Sequence, residues 1–330
     1  MESLNVIVTS AIGDQCMQQI SGVSPKLKLT NVSDLSRAEQ KGDSAAKEKL
    51  GTLLAEAEVL FSFRIPQNVI TRAPRLKWIQ VMTAGVDRFL DAEMVESPVT
   101  MTNVSGIHAT PIGEFVLGVM LMFVKQSPLC FQLKQERQWE RIFSSVLRSQ
   151  TVGVVGLGSI GQGVARLAKA FGMRVLATRR SAKRIGRTRY VDVVFPLGEL
   201  QQLLAESDFV VLTLPLTAET TKFIGEGELR AMKSTAYLIN VASGGVVDEE
   251  ALIRALDEHR IAGAGLDVFA TEPLPPDSRL WEFPNVILSP VISGVTEGYT
   301  IQATELFSEN LRRYLNGKKL LNVVDKKKGY

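Results

Sequence analysis

Val152-Gly-Val-Val-Gly-Leu-Gly-Ser-Ile-Gly161, followed by Arg174-Val-Leu-Ala-Thr-Arg-Arg-Ser181, is the stretch whose reading decides the fold. Thr151 to Val155 is an apolar, β-rich run. Ser159 to Phe171 carries Val164, Leu167, Ala168 and Phe171 at helical spacing, and Gly172 can stop that helix. Met173 to Ala177 is a second strand at βαβ spacing. The glycines have separate jobs. Gly156 allows a tight turn, Gly158 lets a pyrophosphate approach the backbone, and Gly161 lets the helix pack closely on the sheet. The first N–H groups of the helix, at Ser159, Ile160 and Gly161, with its dipole, then face the phosphates.

The end of the second strand speaks to which dinucleotide binds. An NAD site usually places Asp or Glu about 20 residues after the glycines, against the ribose 2′-hydroxyl. Here that window holds Thr178, Arg179, Arg180 and Ser181, and no acidic residue occurs between Gly161 and Asp192. Lys183, Arg184, Arg187 and Arg189 follow. A 2′-phosphate calls for guanidinium forks and hydroxyl donors. NADP(H) is favoured, with NAD(H) possible.

A chain of 330 residues is expected to form two domains. Its 45% hydrophobic and 22% charged content suits a soluble globular protein, and a net charge of +3 does not suggest nucleic acid. Cys16 and Cys130 form no metal spacing and fit a reducing, cytoplasmic setting. No signal peptide and no membrane span is read: the apolar run near Phe115 to Val124 is too short to cross a bilayer. The Lys326-Lys-Lys328 tail is expected to be solvated.

Strands are expected at Asn5–Thr9, Val59–Ser62, Trp78–Val81 and Thr100–Thr102, with one loose-ended helix over Ser33–Lys49 and another over Leu50–Ala57. A long apolar helix follows at Thr110–Val124. Beyond Thr151 the alternation of strands and helices makes a doubly wound parallel sheet. The last helix, Thr296–Leu315, is expected to return to the first domain. The fold class is α/β with two Rossmann-like or flavodoxin-like domains. A cofactor domain at 104–293 is inserted in a substrate domain made of 1–103 and 294–330.

The chain resembles the D-isomer-specific 2-hydroxyacid dehydrogenase family over nearly its whole length. The matching runs are Val81-Met-Thr-Ala-Gly-Val-Asp87, Gly106-Ile-His-Ala109 with Glu114, the glycine turn, and Leu214-Pro-Leu-Thr-Ala-Glu-Thr220. Ile239-Asn-Val-Ala-Ser-Gly-Gly-Val-Val-Asp248 and Gly263-Ala-Gly-Leu-Asp-Val-Phe-Ala-Thr-Glu-Pro273 complete the set. The basic strand end looks most like the NADPH-dependent glyoxylate and hydroxypyruvate reductases of that family. The resemblance implies a homodimer built around the long helix, a small-molecule substrate, and hydride transfer to or from a small 2-keto or 2-hydroxy acid. It implies cofactor contacts at Leu214, Pro215, Thr220, Val241, Ala242, Ser243, Asp267, Val291, Ser293 and Gly294, besides the turn and the arginines. The turn Thr83-Ala84-Gly85-Val86 is the candidate substrate anion site, because its N–H groups can face a carboxylate.

The family's reaction uses an Arg that clamps the carboxylate and carbonyl, a His that moves the alcohol proton, and a Glu that bonds that His. The Glu position matches Glu272. The Arg position is Ser243 and the His position is Val291. Neither His108 nor His259 is a plausible stand-in. Three readings follow from this departure. One is an NADP(H)-dependent oxidoreductase with an altered substrate, such as an iminium whose carbon needs no acid. Another is a catalytically inactive NADP(H)-binding sensor or scaffold. The third is an ordinary reductase with a substitute acid, Tyr299 or a water held by Ser289 and Ser293.

Overall fold

The computed structural model describes residues 3–329, apart from the side chain of Asp87. In chain order the elements begin with β1 (Leu4–Val8), α1 (Asp14–Ser21), β2 (Leu27–Asn31), α2 (Ser33–Gln40), α3 (Ser44–Ala55), β3 (Val59–Ser62), α4 (Val69–Arg72), β4 (Trp78–Val81), α5 (Ala92–Glu96) and β5 (Thr100–Thr102). They continue with α6 (Ala109–Val124), α7 (Ser127–Glu136), β6 (Thr151–Val155), α8 (Ser159–Ala170), β7 (Arg174–Thr178), β8 (Gly186–Thr188), β9 (Val191–Phe195), α9 (Leu200–Glu206) and β10 (Phe209–Leu212). The last are α10 (Glu226–Ala231), β11 (Tyr237–Asn240), α11 (Glu249–Asp257), β12 (Gly263–Leu266), β13 (Val286–Leu288) and α12 (Tyr299–Leu315).

The chain forms two compact units, one running to Ile107 and resuming at Thr296, the other spanning His108–Val295. The first unit holds a five-stranded sheet in the order β2-β1-β3-β4-β5, parallel throughout. Both faces are covered, so β3 and β4 are buried at every residue and are mostly apolar, with Ser62 and Gln80 as their polar members. α12 belongs to this unit, as expected of the last helix. Its Phe307 stacks on Phe61 at 4.3 Å and lies 5.3 Å from Trp78. Its Asn310 reaches Gln80 of β4 at 2.9 Å.

The second unit holds an eight-stranded sheet, β13-β12-β11-β10-β6-β7-β9-β8. Only β8, at the edge, runs antiparallel to its neighbour. The chain winds outward from β6 through β7, then returns to place β10 on the other side of β6. That reversal is a topological switch point, where ligands of such sheets bind beyond the strand ends. α6 lies against α8, and a side chain at Gly163 would strike the carbonyl of Ala109. Among the described residues, no single helix is long and apolar enough to cross a membrane. One bent pair, α6 with α7, passes by length and composition together, and α6 buries Ile112, Val116, Met120 and Phe123 in its own unit.

The structure departs from the sequence reading in places with clear causes. The break between the two helices expected over Ser33–Lys49 and Leu50–Ala57 lies at 41–43 instead of after Lys49, because Gly42 sits at φ +92° and Asp43 caps α3 by accepting from Ala46 N–H at 3.0 Å. α1, β2 and α7 are short or polar and gave no strong periodicity. Lys326 is half-buried and tied down: its ammonium donates to the carbonyls of Met94, Ser97 and Val99 at 2.8, 2.6 and 3.0 Å. Burial lowers its pKa, while its neighbours Lys327 and Lys328 are exposed.

Asp192 of β9 ties α8 to the sheet. Its carboxylate accepts from Lys169 Nζ at 2.9 and 3.0 Å and from Val175 N–H at 2.8 Å. Burial pushes its pKa up, but the Val175 amide and the Lys169 ammonium outweigh this and hold it below the usual carboxylate range. A depressed folded pKa contributes stability above the unfolded value and loses it as pH falls toward the folded one. Asp192→Asn is therefore expected to cost roughly 1 kcal/mol at neutral pH, a value kept small by solvent screening, and to flatten the acid limb of stability. Urea melts from pH 3 to 7 read both effects; an unchanged acid limb would refute the assignment.

Candidate active site

The turn after β6 is built as its glycines require. Gly156 has φ +102°, and a side chain there would press on the Leu214 amide at 2.9 Å. A Cβ on Gly161 would collide with the Gly156 carbonyl and lie 3.0 Å from Thr213 Oγ1, so the helix start packs directly on its own turn. Around Gly158 there is open space. That leaves room for a phosphate to approach the first turn of α8, at Ser159 and Ile160. The backbone therefore fits a dinucleotide pyrophosphate.

Past β7 the side chains divide. Thr178 is buried, and its hydroxyl accepts from Gly156 N–H at 3.2 Å. It shapes the turn. Arg179, Arg180 and Ser181 are exposed just beyond the strand. Arg180 pairs with Glu219 at 3.1 Å, both side chains more than half exposed. The sequence reading missed Glu219, which comes from the loop after β10.

The other expected cofactor positions also lie past strand ends. Leu214 and Pro215 follow β10; Val241, Ala242 and Ser243 follow β11. Several polar groups among them serve the protein itself. Thr220 Oγ1 donates to the Pro215 carbonyl at 2.7 Å and closes that loop. Asp267, 2% exposed, accepts from Ser289 Oγ at 2.6 Å, Ile292 N–H at 2.9 Å and Ser293 N–H at 3.0 Å. Its carboxylate therefore anchors the 289–293 loop, and Ser289 is engaged there too. At the end of that loop, Gly294 offers its carbonyl to His108 Nδ1 at 3.3 Å.

Glu272 and Val291 line one cavity of about 530 Å³ in the second unit. Phe269, Leu274, Trp281 and Leu288 are its apolar walls, and Glu272 is its sole titratable lining residue. Glu272 Oε1 accepts from Phe269 N–H at 3.1 Å. Ser243 is not in that lining, but its neighbour Gly244 is pressed on Phe269 so tightly that a Cβ would collide with the Phe269 carbonyl. Val291 has φ +57°, an uncommon backbone for a β-branched residue. Burial lowers the pKa of His108 and its backbone bond to Gly294 only partly offsets this. His259 is exposed at the end of α11. Neither histidine lines the cavity.

In the first unit, the turn after β4 holds the residues expected to face a substrate carboxylate. None of the amides of Thr83, Ala84, Gly85 and Val86 donates to an acceptor among the described residues. Thr83 Oγ1 donates to the Gly85 carbonyl at 2.7 Å, and Asn103 Nδ2 holds the Ala84 carbonyl at 2.7 Å. The Tyr299 hydroxyl donates to the Met82 carbonyl. Burial pushes its pKa up to about 12, which makes it a poor substitute acid.

Comparison with known proteins agrees with this architecture. Residues 117–293 match the model of the D-isomer specific 2-hydroxyacid dehydrogenase, NAD binding domain. A glyoxylate reductase from Thermococcus gammatolerans is 38% identical over 276 residues, 81% of each chain. A D-isomer specific 2-hydroxyacid dehydrogenase from Xanthobacter autotrophicus, in complex with NADPH and MES, superposes with a TM-score of 0.85 at 31% identity, covering 99% of this chain and all of that one. An NADPH-dependent glyoxylate/hydroxypyruvate reductase from Sinorhizobium meliloti, in complex with NADP and sulfate, gives 0.84 at 26% identity, covering 99% and 100%. With a family model spanning more than half its length and a relative this similar across four-fifths of it, the chain belongs to the D-isomer specific 2-hydroxyacid dehydrogenase family.

Proposed function

We propose that this chain is an NADP(H)-dependent oxidoreductase. It acts on a small 2-keto or 2-hydroxy acid, or a related imine, at a site where Ser243 and Val291 stand in the positions of the family's Arg and His. The observation that carries the reading is the open glycine turn at the sheet's switch point, with Arg179, Arg180 and Ser181 exposed past the next strand. Bound there, NADP(H) supplies or accepts the hydride. The chain's own residues orient and exclude. The α8 amides face the pyrophosphate, the two arginines face the 2′-phosphate, and the walls around Glu272 keep water from the reacting carbon. The Thr83–Val86 amides receive the substrate carboxylate.

Valine can donate no proton, and a serine hydroxyl carries no charge. A carbonyl substrate therefore loses its acid and its clamp. An iminium carbon is activated already, and Glu272 would attract its charge as the one titratable residue in a mostly apolar lining. Calorimetric titration with NADPH and NADH, then turnover with keto acids and cyclic imines, tests the whole reading. NADPH is expected to bind about 10–100-fold more tightly than NADH, from one or two charge-assisted bonds. Arg179→Ala with Arg180→Ala should bring that ratio close to one; a ratio that survives both changes would place the 2′-phosphate elsewhere. Tight NADPH binding with no turnover on any substrate would favour the sensor or scaffold.

A homodimer is also proposed. Trp139 and Phe143 are 103% and 90% exposed on the segment after α7, and Phe131 of α7 is 57% exposed. Where such side chains gather into one patch they suit an interaction surface. Trp139→Glu with Phe143→Glu should shift sedimentation from dimer to monomer; a monomeric wild type would end the proposal.

A further inference from the structure

The sheet of the first unit has a switch point of its own. β1 leads to β2 on one side and β3 on the other, so the residues just past β1 and β3 border a crevice. Thr9 Oγ1 and Ser62 Oγ lie 2.6 Å apart there, and Ser10 Oγ accepts from Phe63 N–H at 2.6 Å, bracing the two strand ends together. Above them is a cavity of about 330 Å³ lined by Ser10, Ser33, Arg37, Arg64, Met82 and Tyr299, among others. Two of its lining residues are arginines and none is a carboxylate. Arg64 has no ion-pair partner among the described residues. Arg37 has only Asp34, at 3.8 Å and itself 95% exposed, which leaves its charge largely uncompensated. A crevice lined by one sign of charge concentrates ions of the other sign.

Met82 belongs to this lining and directly precedes the Thr83–Val86 turn, whose four amides await an acceptor. The geometry points to a doubly anionic substrate: one carboxylate on that turn, and a second oxyanion, carboxylate or phosphate, between Arg37 and Arg64. This inference rests on the proposed hydride-transfer reading for the identity of the ligand as a substrate. It narrows the substrate from any small 2-keto or 2-hydroxy acid to a longer dicarboxylic or phosphorylated one.

The full chain can be titrated calorimetrically with succinate, inorganic phosphate and acetate, as wild type and as Arg37→Ala and Arg64→Ala. Both arginines are exposed, so the variants should fold. Succinate, phosphate or both should bind at least tenfold more tightly than acetate, and each substitution should weaken that binding by about tenfold, the worth of one charge-assisted bond. Preference for succinate assigns a dicarboxylic acid, and preference for phosphate a phosphorylated one. Equal binding of all three, or no loss in either variant, overturns the inference. NADPH oxidation with 2-ketoglutarate and 2-ketobutyrate separates it from the reading beneath it. Dianion binding without turnover on any acid overturns hydride transfer and leaves the anion cavity standing. Turnover of 2-ketobutyrate as fast as 2-ketoglutarate, with no dianion preference in binding, overturns the cavity and leaves hydride transfer standing.

Discussion

The chain carrying both Ser243→Arg and Val291→His should reduce glyoxylate with NADPH about 10²–10⁴ times faster than the natural one, the usual worth of a positioned general acid. That is roughly 3–5 kcal/mol of transition-state stabilisation. The geometry favours acceptance of the histidine. Position 291 has φ +57°, which histidine adopts more readily than a β-branched residue, and its N–H bond to the Asp267 carbonyl at 3.0 Å is backbone and survives. It lines the same cavity as Glu272, so a carboxylate able to hold an imidazole is already in the lining. Either substitution alone should give much less than half of the logarithmic gain, because an acid without a clamped substrate, or a clamp without an acid, does not complete the reaction. Loss of NADPH absorbance against glyoxylate and hydroxypyruvate measures the effect. No gain in the double variant, with NADPH binding intact, would mean that the walls around Glu272 are shaped for chemistry other than ketone reduction.

The second large effect concerns a glycine that touches no ligand. Gly244→Ala would drive a methyl group into the Phe269 carbonyl and to 2.5 Å from the Ala270 nitrogen. These are backbone atoms and cannot step aside as a side-chain tip can. They are also held from beyond: Phe269 N–H donates to Glu272, and Ala270 N–H donates to Glu249 at 3.0 Å. The segment must move as a whole and carry Glu272 with it. Overpacking of this kind costs about 1–3 kcal/mol or more, and a misplacement near 1 Å at a reacting group costs about 100-fold in rate. Gly245→Ala is the control. Its methyl meets only the Leu216 side chain, from 3.2 Å, and should leave melting temperature and turnover close to wild type. A Gly244→Ala protein with unchanged melting and turnover would remove Phe269 as the link between the 243–244 turn and Glu272.

Much of the architecture was legible beforehand because it is local. β3, β4, β5 and β6 fall on the residues that composition and alternation select. α8 opens at Ser159, as the glycine spacing requires. Where the reading failed, the deciding contact came from elsewhere in the chain or from a single backbone angle. Gly42 moves the break between the two expected helices from Lys49 back to 41–43. The antiparallel β8 is an exposed three-residue edge strand with little apolar signal of its own. Lys326 looks like any tail lysine until three carbonyls surround it.

The sequence by itself determined the α/β class, the glycine turn opening α8, the basic strand end that favours NADP(H), and the serine and valine at positions where the family resemblance expects arginine and histidine. Each of these depends on residue type and on spacing over a few positions, which folding does not alter. Only the tertiary structure decided where the polar groups go. It brought Glu219 against Arg180 across 39 residues, committed Asp267 to the 289–293 loop, turned Thr178 inward to the Gly156 amide, and set Glu272 and Val291 in one apolar cavity. A buried acceptor must find its donors wherever the loops deliver them, and that delivery is a property of the packed chain.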